Sequence, residues 1–215
     1  MKKIPTRHLY LLFVVSYFII LISAVFANFF VIESIKADPI NIVLNNSLLI
    51  RIGALAFLIT VVFDVVITWV LYELYQEHTL TKLCCLFRFM HACFMGVAIF
   101  SLISIPSLSE KAVILQAVNQ FNNIWLIGLF FFGFHLLLLA LLLPRPKFLV
   151  VLLMWAGCAY ILDSAMTFSM SDYSDYEWFF MSFLLIPSLL GETSLAIWFL
   201  VKRGKTPKEA YPLQY

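Results

Sequence analysis

Six stretches of this chain are each long and apolar enough to cross a lipid bilayer. They run about Tyr10 to Val31, Leu48 to Tyr75, Lys82 to Pro106, Asn123 to Leu143, Lys147 to Met170 and Trp178 to Val201. A helix needs about 20 mainly apolar residues to cross ~30 Å of hydrocarbon. Lipid cannot hydrogen-bond the backbone, so only helices and closed barrels span it. Barrel strands would show short segments alternating at period two, and nothing here does. The expectation is an all-α polytopic membrane protein, with six transmembrane helices in one bundle and residues 1–215 forming a single transmembrane domain. Composition agrees. Of the 215 residues, 63% are hydrophobic and 12% charged, against about 45–50% and about 25% in soluble domains. That excludes a soluble enzyme, a disulfide scaffold, a disordered tail and a nucleic-acid binder; the expected surroundings are membrane lipids, with a small-molecule ligand still open. Cys84, Cys85, Cys93 and Cys158 lie inside apolar runs without metal spacing and read as buried small hydrophobes.

Orientation follows from Lys and Arg near the helix ends. With the N-terminus inside, Lys2, Lys3, Arg7, Lys82, Arg145, Lys147, Lys202, Arg203, Lys205 and Lys208 fall on the cytoplasmic side. Lys36, Arg51 and Lys111 fall outside and Arg88 within a span. Ten against three places both termini in the cytoplasm. The first apolar run is about twice the 7–15 residues of a signal-peptide core and reads as a retained helix. Trp125 and Trp178 are expected at outer helix ends, Trp69 and Trp198 toward inner ends. Ser107-Leu108-Ser109-Glu110 reads as a capping box opening a helix whose apolar face, Val113, Ile114, Ala117, Val118 and Phe121, lies flat on the outer surface.

A charge at a helix centre costs roughly 2.5–3.5 kcal/mol on insertion scales, so ionisable residues inside spans face the bundle interior. Six stand out: Asp64, Arg88, His91, His135, Asp163 and Glu192. Helical rise places Arg88 at ~9 Å from the inner end, His135 at ~12, His91 and Glu192 at ~13–14 and Asp64 at ~16. Asp163, at ~22 Å, stands apart in the outer half. Five groups on four helices thus share one slab. Arg88 cannot shed its charge, and depth alone points to Glu192 as its closer partner, with Asp64 next. One reading is an ion pair that only fixes packing; another is an aqueous site for protons or a polar solute; a third is a metal or haem held by His91 and His135 near Glu192 or Asp64. Asp163 should bond hydroxyls, amides or water away from this cluster.

Pro187 and Gly191 mark a kink one turn from Glu192, either exposing carbonyls to a ligand or serving packing. Asp64 and Thr68, like Asp163 and Thr167, are four apart on one helical face. Were helices one to three and four to six repeats, the second would be inverted, a transporter signature; no other residues align. No nucleophile triad, Gly-rich phosphate loop or metal motif is present, so no catalytic residue and no cofactor is assigned.

The ordered set Arg51 through Asp64 (RIGALAFLITVVFD), Phe87-Arg88 in FRFMHACF, Phe132-Gly133-Phe134-His135-Leu136, Ala159-Tyr160-Ile161-Leu162-Asp163, and Gly191-Glu192 leading to Trp198-Phe199-Leu200 resembles the bacterial membrane proteins of domain of unknown function family 4386. The resemblance spans almost the whole chain and departs at Ala140 and at Phe148-Leu149-Val150, where the family usually carries glycine; both bear on how closely helices four and five pack. It implies a six-helix protein of the bacterial inner (plasma) membrane, and that Arg51, Asp64, Arg88, His135, Asp163 and Glu192 are family-pattern positions. It implies no activity. The leading expectation is transport or binding of a small solute or proton. The alternatives are a membrane-embedded enzyme, with or without metal or haem, and a structural or assembly protein.

Overall fold

The computed structural model describes residues 4–143 and 146–202, leaving aside the side chains of Ser174, Glu177 and Met181. Lys2, Lys3, Arg145, Arg203, Lys205 and Lys208, which carry much of the charge asymmetry, lie outside the described residues. Among the described residues all regular structure is helical. Helix α1 (Thr6–Val25) continues through a π-helical stretch (Phe26–Ile32) into α2 (Glu33–Ala37), and a short α3 (Pro39–Asn45) follows. Asp38 starts α3, its carboxylate accepting from the Asn41 N–H at 3.4 Å, with Pro39 at the first position. There it removes a donor that would have no helical partner anyway. The long helices are α4 (Ser47–Tyr75), α5 (Thr81–Ser104), α6 (Lys111–Leu142), α7 (Lys147–Ser169) and α8 (Tyr173–Lys202). Among the described residues six helical segments, α1–α2 counted as one, are long and apolar enough to cross a membrane.

The largest departure from expectation is α6. Its first turns do not lie flat on a surface; they run unbroken into the span as one 32-residue helix. Ile114, Ala117, Val118 and Phe121 are buried in the bundle, because their apolar face is offered to α3, α4 and α5 before any lipid reaches it. The capping box does not form either. Ser107 sits in a 3₁₀ turn (Ile105–Ser107) set by Pro106, and its hydroxyl donates to the Ser104 carbonyl at 2.7 Å; Glu110 takes the cap position without a side-chain bond. Trp125 is therefore not at a helix end but against Phe57 and Phe121, with ring centroids at 5.0 and 5.2 Å. Among the cysteines only Cys84 and Cys85 are buried; Cys93 and Cys158 face outward.

The long helices pack in chain order, α4 on α5, α5 on α6, α6 on α7, α7 on α8, and α1 closes the ring against both α4 and α8. Helices α6 and α7 approach backbone to backbone. A Cβ built on Gly133 would lie 2.7 Å from the Gly157 carbonyl oxygen, and one on Gly157 the same distance from that of Gly133. These two glycines let the backbones touch, so the departures at Ala140 and Phe148 do not separate the pair.

The bundle has two unlike halves. The proximal half, toward the turn between α4 and α5, has a core drawn from all six spans; Tyr10 and Phe13 of α1 pack there on Phe199 of α8. The distal half, toward the connections after α5 and α7, has a second core built from the π-helical stretch, α2, α3, α4, α5 and α6, with no residue from α7 or α8 among the described residues.

Candidate functional site

The proximal half holds a charged cluster where α4, α5 and α6 meet. Asp64 and Arg88 are 2 and 6% exposed, His91 and His135 4 and 0%. Arg88 Nη2 donates to Asp64 Oδ1 at 2.5 Å and Nη1 to His135 Nε2 at 3.2 Å. His91 Nε2 lies 3.7 Å from Asp64 Oδ2. Glu192 is not in this contact set, so the partner expected from depth is replaced by Asp64. The reason is ring order: α5 is flanked by α4 and α6, whereas α8 sits between α7 and α1.

The His135 tautomer follows from its partners. A guanidinium only donates, so Nε2 must present its lone pair. The proton then sits on Nδ1, which donates to the Cys84 carbonyl at 3.0 Å with Cys84 Sγ at 3.3 Å. Both ring nitrogens are engaged, and a metal at His135 would have to displace Arg88. Phe132 is the apolar hub of this cluster. The Arg88 guanidinium carbon stands 5.2 Å from its ring centroid, and the rings of His91, His135 and Tyr160 pack around it at 4.7 to 5.5 Å. Such a cation–π contact helps offset the desolvation of Arg88. Arg88 Nε is buried and has no hydrogen-bond partner among the described residues. His91 fits because Gly128 lacks a side chain; a Cβ there would stand 3.3 Å from Nδ1.

Beyond Phe132 lies a second polar group, shared by α1, α7 and α8. The Tyr160 hydroxyl donates to Glu192 Oε1 at 3.2 Å, and the Tyr17 and Thr193 hydroxyls lie 3.3 Å apart. No basic nitrogen of the described residues lies within 4 Å of the Glu192 carboxylate. One turn toward the distal end, α8 continues through Pro187. The Ser188 hydroxyl donates back to its own helix, 2.7 Å from the Leu184 carbonyl and 3.2 Å from that of Leu185. Gly191 faces the Leu152 backbone, where a Cβ would meet ordinary contacts at 3.5 Å.

Asp163 stands apart from both groups, in the distal half. The Tyr173 hydroxyl donates to its Oδ1 at 2.6 Å. Both belong to the wall of a cleft of about 650 Å³ between α1–α2, α6, α7 and α8, which Asn28, Asn122 and Thr167 also line. The cleft lies where the distal core omits α7 and α8. Its α1 wall is the π-helical stretch, whose wider turn offers Asn28 and Phe29; such bulges recur at functional sites. Glu33 and Lys36, an exposed ion pair at 2.9 Å, are at its rim.

The model of Domain of unknown function (DUF4386) matches residues 13–203. The chain belongs to this family. No curated protein and no solved structure matches it. Within this DUF4386 protein the ionisable residues singled out from sequence divide three ways: Asp64, Arg88, His91 and His135 in one cluster, Glu192 beside it, Asp163 in the cleft. Sequence reasoning missed Tyr17, Tyr160, Tyr173, Phe132 and the cleft asparagines. The tyrosines were findable, since a hydroxyl inside a span needs a partner.

Proposed function

We propose that this DUF4386 protein is a multi-pass protein of the bacterial inner membrane, with both termini cytoplasmic, that binds a small polar solute in the distal cleft and carries it, or a proton, across the bilayer. The ten-to-three distribution of Lys and Arg supports the orientation and turns the cleft toward the outer side. The observation that carries the reading is the cleft itself: about 650 Å³, within a membrane bundle, with the carboxylate of Asp163 and two amides on its walls. Ligand sites typically occupy ~300–1,000 Å³ and combine apolar walls with a few convergent polar groups. Intramembrane carboxylates that face a cavity mark ion or substrate paths. Glu192, bonded to Tyr160, offers the next proton-accepting group toward the proximal end.

The test uses purified protein in liposomes with trapped pyranine. Under an imposed proton gradient, small amines, amino acids and neutral polyols are added in turn; one class should change the internal pH in wild type and lose that effect in Asp163→Asn. In parallel, Thr167→Cys should react with a water-soluble maleimide from the outer side. A cleft cysteine that stays unreactive in folded protein overturns the reading.

A further inference from the structure

The outward face of the α4–α5 pair carries a pattern that neither polar site uses. On α4, exposed side chains from Arg51 through Leu55, Leu58, Val62 and Val65 to Trp69 follow each other in steps of four and three. On α5 the same steps lead from Lys82 through Leu86, Phe89 and Cys93 to Gly96. The two stripes flank one seam, and the seam opens into two apolar grooves, a distal one of about 320 Å³ and a proximal one of about 500 Å³. Each groove contains a single basic residue, Arg51 in the distal and Lys82 in the proximal. Both are exposed, and neither has an ion-pair partner among the described residues. Gly96 keeps the distal groove open, since a Cβ there meets nothing nearer than Val61 at 3.9 Å.

Spacing decides what the cations face. From Arg51 to Tyr72, which lines the proximal groove with Lys82, the helical rise is ~32 Å, close to the ~30 Å of a hydrocarbon core. Each cation therefore stands at the headgroup level of its own leaflet, above an apolar groove that runs toward the midplane. Trp69 and Tyr72 in the proximal groove are residues that favour this level. We propose that the α4–α5 seam binds anionic phospholipid in both leaflets, with one phosphate on Arg51, another on Lys82, and an acyl chain of each in the groove beneath. A second copy of the chain fits this face less well. A two-fold axis along the membrane normal would set Arg51 against Arg51 and Lys82 against Lys82, and like charges across an interface repel.

The experiment places the full-length protein in phosphatidylcholine bilayers and compares immobilisation of spin-labelled phosphatidylglycerol and phosphatidylcholine by electron paramagnetic resonance. Wild type should prefer the anionic lipid about five-fold at each site, the scale set by one basic residue near a membrane surface. Arg51→Gln and Lys82→Gln should each remove about half of the lipid held selectively at the seam, and the double variant all of that share, leaving only what the other interfacial cations attract. Arg51→Lys should keep the preference. Gly96→Leu should mimic Arg51→Gln without changing charge, by filling the distal groove. The proposal fails if the folded double variant keeps the preference, if Arg51→Lys loses it, or if Val62→Cys forms disulfide dimers in lipid whose formation excludes the anionic probe.

Discussion

Asp64 and Asp163 occupy matching local frames. In each, a threonine one turn later donates its hydroxyl to the aspartate's own carbonyl at 2.8 Å. Their carboxylates nonetheless meet different worlds. Asp64 lies in the proximal half, where six spans share one core, Arg88 supplies the counter-charge and the His91 ring stands 3.7 Å away. Asp163 lies in the distal half, where α7 and α8 stand outside the core and a tyrosine hydroxyl and a polar cleft surround it. The same four-residue Asp–Thr spacing thus gives a buried ion-pair member in one half and a wall group of a cavity in the other. Helix ring order, not local sequence, makes the difference.

The largest effect that separates the halves should come from Arg88. Arg88→Leu leaves Asp64 as a buried, uncompensated carboxylate and should cost ~3–5 kcal/mol of stability, while Arg88→Leu with Asp64→Leu should recover most of it. Thermal unfolding in detergent checks this; a double variant as unstable as the summed singles would break the assignment. Next is Gly133→Ala. Its new Cβ falls 2.7 Å from a backbone oxygen of α7, and overpacking of this kind costs ~1–3 kcal/mol. If the two helices separate instead, the cleft they both line should also change, so Thr167→Cys labelling in that background sharpens the comparison. Tyr173→Phe should cost less, ~0.5–1.5 kcal/mol for one hydrogen bond, because Asp163 retains a polar surrounding. Should Tyr173→Phe prove as damaging as Arg88→Leu, the cleft would be a packed core and the contrast would be lost. The smallest shift is expected for Gly191→Ala, where ordinary contact distances leave room for the methyl; its unfolding temperature should stay close to wild type.

Much of the fold was legible in the sequence because lipid imposes a length rule that each apolar run satisfies by itself. The rule fails where a helix is longer than the membrane requires. Lys111 to Asn122 satisfies no span alone, and its continuity with α6 depends on burial against α3, α4 and α5. The candidate site was legible in depth and illegible in azimuth. Rise per residue put Asp64, Arg88, His91, His135 and Glu192 in one slab, but a helix can turn about its axis at constant depth. Glu192, nearer to Arg88 in depth than Asp64 is, turns toward Tyr160, and the deeper Asp64 takes the guanidinium. The cleft was invisible for a related reason: it is a gap between helices, made by where α7 and α8 do not pack.

The neighbour-by-neighbour ring has a consequence for how this chain is made. Each of α4 to α8 packs on the helix inserted just before it, so most of the bundle needs only short loop closures, the condition for rapid assembly. The exception is the seam between α1 and α8, where Tyr10 and Phe13 wait for Phe199 until all the helices between them have been made. Until the last helix emerges, that face of α1 is open to lipid or to whatever escorts nascent membrane proteins. The Phe199 contact thus closes the ring of described helices, and Phe199→Ala should appear first as incompletely closed, protease-sensitive chains and only second as a less stable finished bundle.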